Sequence, residues 1–212
     1  MKEEERIFQG MLFAPSHPDL KMIKRNAHNL SRNYSDTYES QEEERNSIIE
    51  KLLGRVGKSC YMQGPIFFHY GTHTEIGDHF FANYNLTVQD DAKVSIGHNT
   101  LFGPNVTIAT PIHPFIASER KQMINQEGEA KPLCYAKPVT IGNNVWLAAN
   151  VTVCGGVTIG DGCVIGAGSV VTRDIPANSF AAGVPCKVIR PITDSDSMRF
   201  KPEIIADCQI DE

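Results

Sequence analysis

The chain repeats itself on a short period, and that period decides what it can fold into. Ile141-Gly142-Asn143-Asn144-Val145-Trp146 is followed in phase by Leu147-Ala148-Ala149-Asn150-Val151-Thr152 and Val153-Cys154-Gly155-Gly156-Val157-Thr158. The beat runs on through Ile159-Gly160, Ile165-Gly166 and Val171-Thr172. An aliphatic residue opens each unit, a small residue usually follows, and a small or apolar residue takes the fifth place. So short a unit can bury its apolar side only against copies of itself, which predicts a solenoid. Earlier units open at Tyr70, Ile76, Ala82 and Val88; after a slip at Val94-Ser95 the beat resumes at Ile96, Phe102 and Ile108. It is interrupted from Ala109 to Thr140 and returns in phase at Ile141. A loop that long inside a compact domain is usually functional or disordered.

Units of this length read as short flat strands, three to a turn, with the opening aliphatic pointing inward. Successive turns stack by parallel pairing at about 4.8 Å. Glycine behind the aliphatic is expected to supply a positive φ at each corner. Parallel crossovers are normally right-handed; a hexad coil is the exception to expect, and the pattern by itself leaves the hand open. The competing architecture, a β-sandwich with Gly-rich turns, does not call for such strict phasing.

Residues 1–57 read differently. Glu3 to Leu12 and Asp19 to Leu30 are expected helices, the second following His17-Pro18. Ser40-Gln41-Glu42-Glu43 fits a capping box leading into Ile48, Ile49, Leu52 and Leu53, with Gly54 as the stop. The expected organisation is a helical unit over 1–57, a solenoid over 58–193 carrying the inserted loop 109–140, and a solvated tail over 194–212, with the acids Asp194, Asp196, Asp207, Asp211 and Glu212.

A formal charge of −5 over 212 residues speaks against nucleic-acid binding. No apolar run is long enough to span a membrane. The acidic start, Met1-Lys2-Glu3-Glu4-Glu5-Arg6, lacks the apolar stretch of a secretory signal, so a soluble cytoplasmic protein is expected. The six cysteines are scattered without C-x-x-C spacing, which argues against a disulfide framework or a zinc site. Cys163, at the fifth place of a unit, reads as a small buried thiol.

The segments Ala82-Asn83-Tyr84-Asn85-Leu86-Thr87, Asp90-Asp91, Ile112-His113-Pro114, Ile141–Trp146 and Ala182-Gly183-Val184-Pro185-Cys186-Lys187-Val188-Ile189-Arg190 resemble the maltose/galactoside O-acetyltransferase family, whose pattern nodulation-type sugar acetyltransferases share. The likeness covers nearly the whole chain. The repeat alone is common to many acyltransferases; His-Pro in the loop together with the A-G-V-P-C-x-V-I-R ending is far more specific. The resemblance implies a left-handed parallel β-helix, a homotrimer, no metal, and acetyl transfer from acetyl-CoA to a sugar hydroxyl at sites between neighbouring subunits. A flat solenoid wall cannot enclose a substrate alone, so a cleft between two walls makes physical sense, and a cyclic trimer repeats it three times.

Acetyl-CoA is already activated, so the acceptor hydroxyl is the difficult partner and needs a base; neutral histidine suits that role near pH 7. His113 matches the family's catalytic histidine and is assigned as base to the hydroxyl and then acid to the departing thiolate. Cys134 lies in the same loop, but no family position supports it as an acyl carrier. Ala149 matches the backbone amide facing the developing oxyanion, where relatives often carry Ser. Asn83 and Asp91 match acceptor-site positions, and Asn83 also lies near the acetyl group; Asn85 is a less certain neighbour. Matching positions for coenzyme A are Asn83, Ala149, Ala167, Thr172, Arg173, Lys187 and Arg190, the cations for its phosphates. Trp146, the only tryptophan, reads either as a cleft residue or as core or interface packing.

The chain departs from the family in places. Phe13-Ala14-Pro15-Ser16 lacks the acid that relatives place after the aromatic. His69 stands where galactoside-type enzymes carry a small hydroxyl residue, as a specificity residue or a satisfied wall histidine; His73 replaces a common Asn. Three alternatives remain: the same chemistry on a xenobiotic hydroxyl, a γ-carbonic-anhydrase-like metal hydratase, and a non-catalytic trimeric scaffold. The hydratase needs three histidines around zinc, and the loop offers only His113.

Overall fold

The computed structural model describes residues 1–121, 123–124, 130–131 and 134–205. Short strands wind into a three-faced prism. The first face stacks Arg55–Val56, Thr74–Ile76, Val94–Ile96, Val139–Ile141 and Thr158–Ile159. The second stacks Tyr61–Met62, Phe81–Ala82, Leu101–Phe102, Trp146–Leu147, Val164–Ile165 and Ser179–Ala182, with Lys187–Pro191 added antiparallel at its end. The third stacks Ile66–Phe68, Leu86–Gln89, Thr107–Ala109, Thr152–Cys154 and Val170–Val171. All other ladders between rungs are parallel.

The expected unit openers face inward. Ile76, Ala82, Val88, Phe102, Ile108, Ile141, Leu147, Val153, Ile159, Ile165 and Val171 are all buried in one continuous core. Each Val, Leu, Ile or Phe so enclosed contributes about 1.5–3 kcal/mol relative to exposure. The coil starts earlier than the beat shows. Its first rung runs from Arg55 to Phe68 and covers its open end with helices instead of another rung, so Ile48, Ile49, Leu52 and Leu53 pack beneath Met62 and Ile66. Tyr70 opens a unit but belongs to a second buried cluster outside the prism.

The slip at Val94-Ser95 is one case of a repeated enlargement. The ladder partners Glu75 and Ser95, like Thr87 and Thr107, are farther apart in the chain than Thr140 and Thr158 or Thr152 and Val170. The extra residues fall at the corner between the third face and the next rung, in the segments that hold His69 to His73 and Asp90 to Lys93.

The glycine expectation is corrected. Gly97, behind Ile96, does not have a positive φ; a Cβ there would lie 2.6 Å from the Gly142 carbonyl of the next rung. Glycine is needed at this place for close approach between rungs. The positive φ falls two residues later, at Asn99 (54°), as it does at Asn144 (56°). Asparagine tolerates that region better than other side chains do.

The N-terminal unit holds three helices: α1 (Glu3–Phe8), α2 (Pro18–Ser35) and α3 (Glu42–Leu52). α1 ends before the expected Leu12 because Gly10, at φ 68°, closes it; Gly10 N–H donates to Ile7 O and Met11 N–H to Arg6 O. α2 runs past Leu30 to Ser35, and its Ser31 and Ser35 hydroxyls accept from Phe68 and Ile66 N–H, both at 3.2 Å. They satisfy an edge strand that would otherwise expose free donors. The capping box at Ser40 is not formed: Gln41 is the N-cap of α3, and no side chain caps it. The interrupting segment has structure of its own. Pro111–Ile112 pairs antiparallel with Tyr135–Ala136, Met123–Ile124 with Ala130–Lys131, and Ala117–Lys121 is a helical turn. In the tail, Asp194–Asp196, Met198–Phe200 and Pro202–Ile205 form short helical turns; Asp207, Cys208, Asp211 and Glu212 lie outside the described residues.

The two glycine roles are separable by thermal unfolding. Gly97→Ala is expected to cost about 1–3 kcal/mol through overpacking, and Gly97→Asn more. Gly168 has φ 71° with open space around it, so Gly168→Ala is expected to cost about 1 kcal/mol and Gly168→Asn to recover most of it.

Candidate acetyl-transfer site

The third face has two long edges, and the expected site residues divide between them. Asn83, Ala149 and Ala167 lie where the second face turns into the third, within two residues of the ends of Phe81–Ala82, Trp146–Leu147 and Val164–Ile165. His69, Asp91 and His113 lie at the opposite edge, after Ile66–Phe68, Leu86–Gln89 and Thr107–Ala109. Third-face strands of three or four residues, with the turns at either end, separate the edges by more than roughly 10 Å at about 3.3 Å per residue. One chain therefore groups each set along its own edge and does not bring the sets together.

On the first edge, Asn83 N–H donates to Phe102 O at 2.9 Å, and its side-chain oxygen accepts from Tyr84 N–H at 2.8 Å. The Ala149 carbonyl accepts from Gly168 N–H at 2.9 Å, which stacks the turn holding Ala149 on the turn holding Ala167. Asn85 is a corner residue, with φ 62° and its amide donating to the Asn105 side chain at 2.9 Å. Thr172 and Arg173 leave the last third-face strand exposed, and Lys187 is exposed on the antiparallel strand that ends the coil. Arg190 is engaged: its guanidinium meets Asp196 at 2.6 and 2.7 Å and holds that carboxyl down at about 2.

The second edge is elaborate because its corners are enlarged. The Asp90-Asp91 turn is buried rather than solvated. Asp90 braces the corner, accepting from Tyr70 N–H and the Thr74 hydroxyl, each at 2.7 Å. Asp91 has a buried carboxylate oxygen without a hydrogen-bond partner among the described residues, as does the Tyr70 hydroxyl. Burial, then the neighbouring Asp90, pushes the Asp91 carboxyl up to about 6, against the pull of Lys24. His73 is buried, with Nδ1 at 2.9 and 2.8 Å from the Asp90 and Asp91 carbonyls and Nε2 at 3.1 Å from Glu4 Oε1. It ties α1 to the corner, a positioning task that the sequence does not disclose.

His69 is half-buried beneath α2. Its Nδ1 lies 3.2 Å from His28 Nε2. Burial lowers it to about 4, with Lys24, His28 and His73 adding to the effect, so its ring is uncharged at neutral pH. Lys24 and His28, one helical turn apart on α2, face the Asp91 and His69 corners respectively. His113 follows the Pro111–Ile112 strand and is exposed. Arg120 fixes the chain just beyond it, donating to Pro114 O at 3.0 Å and Phe115 O at 2.6 Å. Cys134 is buried, joined to Phe13 by a backbone bridge, and burial pushes its thiol up to about 12, with Asp91 adding to the effect. Such a thiol is no nucleophile at neutral pH. His73 and His79 sit at different edges of the prism, and among the described residues no three His, Cys, Asp or Glu side chains are grouped to hold a metal ion.

The outward residues of the faces differ. The first face shows Glu75, Ser95, Thr140 and Thr158; the third shows mostly threonine. The second shows Tyr61, Phe81, Leu101, Trp146, Val164 and Phe180 in direct register. Trp146 is 49% exposed there, so it is not a core residue.

Sequence comparison matches this geometry to known proteins. Residues 138–173 match the bacterial transferase hexapeptide family, and residues 6–57 match the maltose acetyltransferase hexapeptide capping motif. The galactoside O-acetyltransferase of Escherichia coli K12 is 43% identical over 196 residues, covering 92% of each chain. The chain belongs to the maltose/galactoside O-acetyltransferase family. Its coil is the left-handed parallel β-helix of the hexapeptide-repeat acetyltransferases. A galactoside acetyltransferase solved with coenzyme A superposes with a TM-score of 0.86 at 40% identity, covering 100% of both chains. A hexapeptide-repeat acetyltransferase of Vibrio cholerae solved with acetyl-CoA gives 0.79 at 30% identity, covering 92% of this chain and 100% of that one. No helix among the described residues is long and apolar enough to cross a membrane.

Asp91 yields a stability prediction. Its carboxyl is raised on folding, so its ionisation opposes folding, and this cost grows as the pH climbs from the ordinary Asp value of about 3.9 to the folded value. Asp91→Asn is therefore expected to gain stability relative to the parent chain between pH 4.5 and pH 7.5, by on the order of 1–3 kcal/mol. Paired thermal melts at the two pH values read it; an unchanged difference would contradict the buried carboxylate.

Proposed function

We propose that this acetyltransferase moves the acetyl group of acetyl-CoA to a hydroxyl of a sugar, in a cleft shared by two subunits of a homotrimer. The observation that carries the reading is the division of site residues between two edges of one face. A neighbouring prism, presenting its His113 edge to this chain's Ala149 edge, unites them.

His113 takes the proton from the acceptor hydroxyl as that oxygen attacks the thioester carbon. The new C–O bond forms, the C–S bond breaks, and the proton passes from imidazole to the departing sulfur. The Ala149 N–H faces the oxygen that gains negative charge. Arg120 holds the segment behind His113, which limits the cost of orienting the ring. Asp91, Asn83 and His69 bind the acceptor, and hydroxyl recognition by fixed polar groups rejects analogues that lack them. Coenzyme A lies along the edge of Asn83, Ala149 and Ala167, with Thr172, Arg173, Lys187 and Arg190 toward its phosphates. Arg190 reaches them while oriented by Asp196, or by exchanging that partner for phosphate.

The apolar ladder from Tyr61 to Phe180 supports the trimer. An in-register aromatic and aliphatic stripe along one face of a soluble prism is what an interface between copies would cover. The named activity of the galactoside and maltose relatives supports a sugar acceptor, and their complexes support coenzyme A. We place the enzyme in the cytoplasm, in keeping with a chain that shows no membrane-crossing helix among its described residues.

His113→Ala is expected to keep coenzyme A binding and to lose about two to four orders of magnitude in turnover on galactosides or maltose. Acetyl-CoA consumption and calorimetric titration with coenzyme A read the two halves. Unchanged turnover would remove His113 from the mechanism.

A further inference from the structure

His113 stands just beyond a very short ribbon. Pro111–Ile112 pairs with Tyr135–Ala136, and at the base Lys137 N–H donates to Thr110 O at 3.1 Å. Two residues to a side do not hold their own geometry in water; such a pair needs a third strand or a packed face. Phe13 supplies both. Its N–H donates to Cys134 O at 2.9 Å, and Cys134 N–H donates back to Phe13 O at 3.2 Å. Ile112 lies opposite Tyr135, so one residue further on His113 falls level with Cys134 and, beyond it, with Phe13. The Phe13 side chain is fully buried in the second apolar cluster, with Ile7 of α1, Leu20 of α2, Tyr70 and Ala92 of the enlarged corners, and Cys134 and Ala136 of the ribbon. None of these belongs to the core inside the prism. What the cluster secures is the ribbon and the N-terminal unit, not the coil.

We infer that Phe13 is a positioning residue for His113: through it the N-terminal unit braces the ribbon that presents the imidazole to the cleft. The inference rests on the proposed role of His113 as the base and adds what aims it. The His113 ring is exposed, so its place is set through its backbone. Arg120 fixes the carbonyls of Pro114 and Phe115 on one side of it, and the ribbon fixes the residues on the other. The brace is itself anchored from both helices. Ala14 N–H donates to Glu3 Oε2 of α1 at 2.7 Å, and Lys24 Nζ of α2 donates to Pro15 O at 2.7 Å. Proton transfer needs the base within hydrogen-bond reach of the hydroxyl, and a misplacement of about 1 Å costs on the order of a hundredfold in rate. A brace of this kind acts on kcat and leaves the coenzyme A edge, on the far side of the third face, untouched.

The test makes the brace reversible in the assembled enzyme. Two residues that exchange both backbone hydrogen bonds stand about 5.5 Å apart at Cα, a separation that a disulfide spans, so Phe13→Cys can be joined to Cys134 by oxidation and released by dithiothreitol. Acetyl-CoA consumption on galactosides and maltose reads kcat and KM. Phe13→Ala and reduced Phe13→Cys are each expected to lose about tenfold to a hundredfold in kcat, with KM for acetyl-CoA within about twofold of the parent. Oxidised Phe13→Cys is expected to regain most of the loss, and adding Cys134→Ala to abolish that response. Should Phe13→Ala fail to fold, Phe13→Cys purified as the disulfide and then reduced gives the same comparison within one preparation. An unchanged kcat in the reduced variant overturns the inference, as does a kcat that ignores the redox state. A rise in acceptor KM with kcat held makes Phe13 part of acceptor binding and overturns it too. The ring-proton NMR signal of His113, identified by its loss in His113→Ala, reads the brace without any acceptor: it is expected to broaden or split on reduction and to sharpen on oxidation, and a signal that does neither overturns the brace. Absence of turnover on every sugar, or full turnover in His113→Ala, counts against the proposed reaction, and the NMR signal still decides whether Phe13 holds His113 in place.

Discussion

Parallel stacking of nearly identical rungs is the constraint on which the rest of this molecule depends. Rungs about 4.8 Å apart leave no room for a side chain where backbones close, so glycine recurs behind the aliphatics and asparagine takes the left-handed turn that follows. The same stacking makes the faces flat. A flat face has no cavity, so chemistry has to be assembled at edges, where turns leave the ladder and can be enlarged. Among the described residues the chain enlarges one of its three edges in this way, and His69, Asp91 and His113 all lie there.

Enlargement brings a difficulty that the N-terminal unit resolves. Longer corners bury polar groups that the ladder does not satisfy. Asp90 turns inward to accept from Tyr70 and Thr74, and His73 spans from the corner carbonyls to Glu4 on α1. α2 covers the edge strand with serine hydroxyls and brings Lys24 and His28 to the corner of Asp91 and His69. The helical unit is thereby the cap on the first rung and, in the function proposed above, the acceptor-side wall. Asp91 keeps a buried oxygen that has no hydrogen-bond partner among the described residues, and burial raises its carboxyl pKa. Functional sites are where such local costs are tolerated.

The coil is legible in the sequence because its period is strict: every opener from Ile76 to Val171 is buried as the beat requires. The first rung is not, because its neighbour on one side is a helix layer, and helices place no six-residue demand on it. The pattern singles out the glycine behind each aliphatic but misleads about its purpose; the reason lies in the next rung, about twenty residues away at the wider turns, and no local rule exposes it. Among site residues, the edge positions of Asn83, Ala149, His113 and Asp91 can be matched by motif. His28 and Arg120 cannot, since each acts through a partner distant in the chain or through backbone carbonyls. The polar spacing of Lys24, His28, Ser31 and Ser35 along α2 is the available signal for a working face.

The division of residues between two edges is the claim that most needs a direct measurement. His113→Ala disables one edge and Asn83→Ala the other, and each homogeneous assembly should be nearly inactive. Unfolding the two variants together in equal amounts and refolding them as a mixture creates interfaces where an intact His113 edge meets an intact Asn83 edge. About a quarter of the sites should then be whole, by random assortment of subunits around a cyclic assembly, and turnover per site should return to about a quarter of the parent value. A mixture no more active than its two components would mean that each chain builds its site alone, and would contradict the shared cleft.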